Sequence, residues 1–313
     1  MAQTSSTAVE SEVLQSSVQR EFKVGSFAYR IARSGAGLSY SIRSGTQSAS
    51  EPLGWTLGRS KVGHTFLFER DGNFYESPFS YFESLHGFAE TPGFNLLPVS
   101  TSAPAALKKG VGRHLTTEQA AGCFGCHNTA AQTSGKLDLD HVIPNITCEA
   151  CHGPGANHAA AEKSGLDLGP DLIFNPRRLS PADSVDFCGS CHRTWWDLML
   201  TEEVGMSTVL AVPYRLEKSR CWGKGDERLT CVACHDPHRD LVRVAVSYDR
   251  NCLSCHVTKG AGKADASHPG NACPVSSNQC VTCHMAKYEL PDMHYDFTDH
   301  MIRIVKPGAA FPN

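Results

Sequence analysis

The sequence predicts a chain of mainly short α-helices and loops wrapped around a stack of covalently held groups, with a small N-terminal β-rich subdomain. Three observations predict it. The pattern Cys-x-x-Cys-His occurs six times between Cys123 and His284, using twelve of the fourteen cysteines. Those six copies share 162 residues, about 27 each, too few for a separate apolar core around every motif. The chain before them has no cysteine and alternates apolar with polar residues, while Gly 27 and Pro 17 suit loops between the motifs.

Four stretches follow from this. Residues 1–20 are polar and rich in Ser and Thr, and read as a flexible leader. Residues 21–99 read as a β-rich subdomain or arm. Phe27, Tyr29 and Ile31 alternate with small or polar residues, as do Leu38, Tyr40 and Ile42. Asp71-Gly72 between two apolar runs supplies the positive φ angles of a hairpin turn. Residues 100–115, with Pro104 and two alanines, read as a linker. Residues 116–313 form the motif-bearing domain, each motif starting or ending a short helix. Steps of 25, 40, 43, 21 and 28 residues between the motif histidines exclude a strict solenoid period.

Cys-x-x-Cys-His is the attachment signature of c-type haem. The thiols add across the porphyrin vinyl groups, and the histidine becomes the proximal iron ligand. A zinc or dithiol site explains a lone Cys-x-x-Cys, but neither requires a histidine directly after the second cysteine. The expected attachment pairs are Cys123 and Cys126, Cys148 and Cys151, Cys188 and Cys191, Cys231 and Cys234, Cys252 and Cys255, and Cys280 and Cys283. The proximal ligands are His127, His152, His192, His235, His256 and His284. Six motifs imply six haem c groups, and the fold class is then a multihaem cytochrome c in which the haems supply most of the core.

Nine histidines remain, more than six irons need as second axial ligands. Position favours His64, His141, His158, His238, His294 and His300 over His86, His114 and His268. His158 follows a Gly-Pro-Gly turn that reverses the chain. His238, three residues from His235, must serve a different haem. Methionine ligands would raise the potential, but Met199, Met206, Met285, Met293 and Met301 read better as packing residues. Mostly bis-histidine, low-potential haems are expected.

The formal charge of −3 omits the cofactors. Six haems with ionised propionates bring it to about −9 oxidised and about −15 reduced. With no Lys/Arg-rich block, nucleic acid is excluded as a partner, and no apolar run is long enough to span a membrane. Cys221 and Cys273 lie outside the motifs. A disulfide between them would close a loop of 51 residues and add about 4 kcal/mol; two thiols or a crosslink between subunits are the alternatives. Trp195 and Trp196 read as packing on haem faces rather than as an electron relay. Asp236, Asp299 and Arg303 are candidates for orienting axial histidines.

Cys148-Glu-Ala-Cys-His-Gly-Pro-Gly-Ala-Asn-His158, Cys231-Val-Ala-Cys-His-Asp-Pro-His238, Cys280-Val-Thr-Cys-His-Met285 and Phe297-Thr-Asp-His-Met-Ile-Arg303 resemble multihaem c-type cytochromes. The superfamily is that of the ammonia oxidisers' tetrahaem cytochrome and the pentahaem nitrite reductases. The segment from Gly63-His64 to Tyr75-Glu-Ser-Pro78 resembles the leader of many such proteins, so the resemblance covers about residues 55–303. It implies packed haem pairs, bis-histidine ligation, and export to the periplasm or beyond, where thioether bonds are made. Met1-Ala-Gln-Thr-Ser-Ser has no signal-peptide pattern, so the expectation is a removed signal or a start that is not native. The nitrite reductases carry Cys-x-x-Cys-Lys at their catalytic haem. This chain has no such motif, so that activity is not implied.

The function expected is electron carriage by outer-sphere hopping between redox proteins or extracellular acceptors. One variant is self-association into an extracellular filament. The alternative is an oxidoreductase with one open-site haem acting on a small nitrogen or sulfur compound, with His268 or His114 as acid–base groups.

Overall fold

A computed structural model describes residues 3–58, 62–96, 103–165, 172–222, 229–254, 256, 273, 275–276, 278–290, 292–306 and 308–312. The chain divides into two compact units. One comprises residues 1–174 with 291–295, the other residues 175–290 with 296–313. Cys255 and His268 lie outside the described residues.

The first unit is built on two antiparallel sheets. The smaller is a meander of β2 (Glu21–Val24), β3 (Phe27–Ser34), β4 (Gly37–Ser44) and β5 (Gln47–Leu53). The larger runs in the order β1 (Ser5–Thr7), β6 (Trp55–Leu57), β7 (Gly63–Arg70), β8 (Asn73–Phe82) and β10 (Arg113–His114), with β9 (Gly87–Glu90) also on β8. The expected hairpin is β7–β8, and Asp71 and Gly72 both take positive φ at its turn.

Period-two alternation determines which side chains these strands bury. Phe27, Tyr29 and Ile31 of β3 and Leu38, Tyr40 and Ile42 of β4 are buried. They pack with Phe66, Phe68 and Phe79 into one aromatic-rich core. The Tyr29 and Tyr40 hydroxyls donate to the carbonyls of Gly110 and Val111, which brings the C-terminal end of α2 (Ala103–Val111) onto this core. Gly110 suits this close approach, because a Cβ there would crowd the Ile42 and Phe27 side chains.

This overturns the expectation of mainly short helices and loops around a haem stack with only a small β arm. Antiparallel sheets run through the N-terminal and central regions, and the first unit has an apolar core made of its own side chains. The physical reason is the length of the alternating segment, which is enough to form two multi-stranded sheets with one face of each buried. Segments between motifs also pair, as β11 (Asn128–Ala130) with β14 (Ile143–Pro144) and β12 (Gln132–Thr133) with β13 (Lys136–Leu137). Residues expected as a flexible leader carry β1, a 3-10 turn at Ala8–Glu10 and α1 (Glu12–Ser16), capped by Ser11. The expected linker carries α2 and β10. Residues 116–174, expected with the later motifs, belong to the first unit.

The first unit also contains α3 (Thr117–His127), α4 (Cys148–His152) and α5 (Ala156–Ser164). The second holds the short helices α6 (Pro181–His192), α7 (Trp195–Thr201), α8 (Val212–Glu217), α9 (Asp249–Leu253) and α10 (Cys280–His284), with the hairpin of β15 (Lys287–Glu289) and β16 (Asp296–Thr298). Its helices pack α6 on α8 and α9 on α10.

Candidate functional site

Among the described residues, the motif cysteines stand on or directly after helical turns. Helix α3 starts with a capping box between Thr116 and Gln119, and its last turn carries Cys123, Cys126 and His127. Helix α6, capped by Ser180, ends on Cys188, Cys191 and His192. Helices α4 and α10 are the motifs themselves. A 3-10 turn opens the fourth motif, and the amides of His235 and His256 donate to the carbonyls of Cys231 and Cys252, each at 2.9 Å. Positions i, i+3 and i+4 share one helical face, so both sulfurs and the imidazole of a motif point the same way.

The first motif is also locked to the larger sheet. Phe124, between its cysteines, is fully buried, with Trp55 and Phe74 edge-on at 5.4 and 5.7 Å. The last motif is held by Asp249, whose carboxylate accepts the amides of Gln279 and Cys280 at 2.7 and 2.8 Å. Those amides hold the Asp249 carboxyl below the usual range.

Backbone carbonyls orient three of the motif imidazoles. Nδ1 of His127 lies 3.1 Å from the Thr4 carbonyl, that of His152 2.8 Å from Phe174, and that of His284 3.0 Å from Arg303. A carbonyl only accepts, so Nδ1 carries the proton and Nε2 keeps its lone pair. This is the arrangement that fixes a metal-binding imidazole. Burial pushes the pKa of His192 and of His235 down, and His192 lowers His235 further. Both favour the neutral form that ligates.

Packing shows which motifs are neighbours. Helix α6 packs against the Cys231 turn, and α9, which carries Cys252, packs on α10, which carries Cys280. The third and fourth motifs, and the fifth and sixth, are therefore adjacent.

The expected second ligands are distributed unevenly. His300 faces His235, with ring centroids 6.2 Å apart and planes at 44°. Its Nδ1 is 3.0 Å from the Thr298 carbonyl, which leaves Nε2 as the lone-pair nitrogen. Burial pushes its pKa down to about 4, with His235 adding to the shift. His64 sits half-buried on β7, edge-on to Tyr81 at 6.0 Å. His294, at φ +48°, has Phe82 edge-on at 4.8 Å, and its carbonyl accepts from Ser84 Oγ. His158 is half-buried on α5. His141 and His238 are exposed, with Nδ1 3.0 Å from Asp138 and 3.6 Å from Asp236. Among the described residues, His141, His158 and His294 make no ring contact with a motif histidine.

Asp299 and Arg303 do stand beside an expected ligand, His300. Sequence reasoning missed their partner Arg215, which no local pattern marks. It also missed Thr4, Asn145, Phe124 and Asp249, whose roles depend on long-range contacts. Of the two cysteines outside the motifs, Cys221 is half-buried and Cys273 exposed, and the structure records no disulfide between them. Trp195 and Trp196 are 40% and 64% exposed at the start of α7, directly after the third motif, so they are not part of an apolar protein core.

Two soft sulfur donors and one oriented imidazole on a single helical face fit a porphyrin attached by thioether bonds and ligated from one side. The class so defined is a protein with covalently bound haem. A family model described as Cytochrome c554 and c-prime matches residues 93–153, which include the first two motifs. The chain is a c-type cytochrome, an electron-transport protein that binds haem iron. No curated protein and no solved structure matches it. Among the described residues no helix is long and apolar enough to cross a membrane.

Proposed function

We propose that the chain is an exported six-haem electron carrier in which most irons have two histidine ligands. The observation that carries the reading is the recurrence of one local geometry, with two cysteines and a histidine on one turn at each of the five motifs described in full. When bound, haem supplies an iron that cycles between ferric and ferrous with no bond made or broken in the partner. The protein's work is to hold position. Carbonyls fix the imidazole tautomer and buried side chains such as Phe124 fix the helical turn. His235 and His300, with ring centroids 6.2 Å apart, are the two residues that would hold one iron between them.

The adjacency of the third with the fourth motif, and of the fifth with the sixth, supports short hops within the second unit. Redox proteins or extracellular acceptors are the partners that such a carrier serves.

The test is haem content with ferric and ferrous absorption spectra, with and without carbon monoxide. Six haems per chain, all low-spin and unmoved by carbon monoxide, are expected. Fewer haems would remove the six-haem reading, and a high-spin fraction near one-sixth would favour an open-site oxidoreductase. Electron microscopy of the native protein separates a dispersed carrier from an end-to-end filament, which dispersed particles alone would exclude.

A further inference from the structure

The N-terminal strand makes an unexpected set of contacts with the first motif. The Thr4 carbonyl accepts from His127 Nδ1 at 3.1 Å, and Thr4 Oγ1 donates to the His127 carbonyl at 2.6 Å. Asn145 Oδ1 accepts both the Thr4 and the Ser5 amides, at 2.9 and 3.1 Å. Ser5 Oγ donates to buried Asn128 Oδ1 at 2.6 Å and accepts the Asn145 amide at 2.9 Å. Asn128 directly follows His127, and Asn145 stands three residues before Cys148. These bonds join segments more than 120 residues apart in sequence. Strand pairing of β1 with β6 anchors the segment from the other side.

We infer that Thr4 and Ser5, pinned by Asn145, form a clasp that positions His127 and sets the potential of the haem at the first motif. This rests on the proposed reading only in that the first motif carries a haem. The Thr4 carbonyl does two things. As an acceptor it allows only the tautomer protonated on Nδ1, so Nε2 is always the lone-pair nitrogen. It also makes the imidazole a stronger donor, which favours the ferric state and lowers the potential. Thr4 is joined to both the ring and the backbone carbonyl of His127, so its own carbonyl cannot drift from the ring without breaking the Oγ1 bond as well. The clasp also bridges the residue after the first motif and the residues before the second. Thr129 extends this bridge, because its hydroxyl donates to the Asn145 carbonyl at 2.6 Å and accepts the Thr147 amide at 2.8 Å.

Asn145 offers a clean test. Its φ is +68°, a conformation glycine adopts freely, so Asn145→Gly removes the acceptor without straining the backbone. A redox titration of the holoprotein, followed by absorbance and by electron paramagnetic resonance of the ferric form, reads the outcome. His127→Met labels the first haem by moving its component upward. In Asn145→Gly that same component is expected to rise while the others stay in place. Deletion of residues 1–5 is expected to raise it at least as far. An unchanged titration, an equal shift of every component, or a shift of a different component would overturn the clasp. Absence of haem c from the wild-type protein, read from its pyridine haemochrome spectrum, would instead overturn the reading beneath it.

Discussion

Arg215 and Asp299, 84 residues apart in sequence, form a two-point ion pair with both side chains fully buried. Nε and Nη2 of Arg215 donate to the two carboxylate oxygens at 2.8 and 2.9 Å. Arg303 Nη1 adds a third bond at 2.6 Å and the Met301 amide a fourth at 3.0 Å. Burial alone would raise the Asp299 carboxyl, but these donors outweigh it and hold it below the usual range. The pair thus fixes the backbone on both sides of His300.

Removing one partner leaves a charge buried and unpaired. Asp299→Asn is expected to cost about 3–5 kcal/mol, measured by denaturant unfolding of the holoprotein. Arg303→Ala is expected to cost less, because Arg303 is 15% exposed and Arg215 still pairs with Asp299.

His300→Ala removes the imidazole that faces His235. The expected result is one high-spin haem of the six proposed, about one-sixth of the absorbance, that binds carbon monoxide. An unchanged low-spin spectrum would show that another residue ligates there.

Replacing both cysteines of any one motif by alanine is expected to lower the haem count by one, read by mass spectrometry of the intact protein. Retention of the full count would mean that the altered motif was not an attachment site.

Asp249 predicts a pH dependence. Its folded pKa is below the ordinary aspartate value of about 3.9. Its contribution to stability is therefore fully present above that value and is lost as pH falls through the folded pKa. The wild type is expected to unfold at higher denaturant than Asp249→Asn near neutral pH, and the gap should close in acid. A gap that stays constant down to acid pH would show that the carboxylate's charge is not what holds the last motif.

Phe124 predicts how the β unit serves the site. Phe124→Ala empties a fully buried position within the first motif and is expected to cost about 3–5 kcal/mol. Thermal unfolding of the holoprotein measures the loss.

The covalent chemistry was legible in the sequence because it is local. Cys123, Cys126 and His127 are close in the chain, so their spacing alone places them on one helical face. The β3 and β4 core residues were legible for the same reason, since alternation is a local pattern. The extent of the sheets was not. Short pairings such as β11 with β14 carry no alternation to read, and β1 is a strand because β6 lies beside it.

The sequence by itself therefore determined the type of cofactor and proposed its attachment points, since thioether bonds and proximal ligation need only residues i, i+3 and i+4. Tertiary structure alone decided what orients His127, His152 and His284 and what lies opposite His235. The Thr4 carbonyl under His127, the ring of His300 before His235 and the Arg215 behind Asp299 all come from distant segments. Hydrogen-bond and axial geometry depends on separations of a few ångströms in space, and no spacing along the chain encodes those.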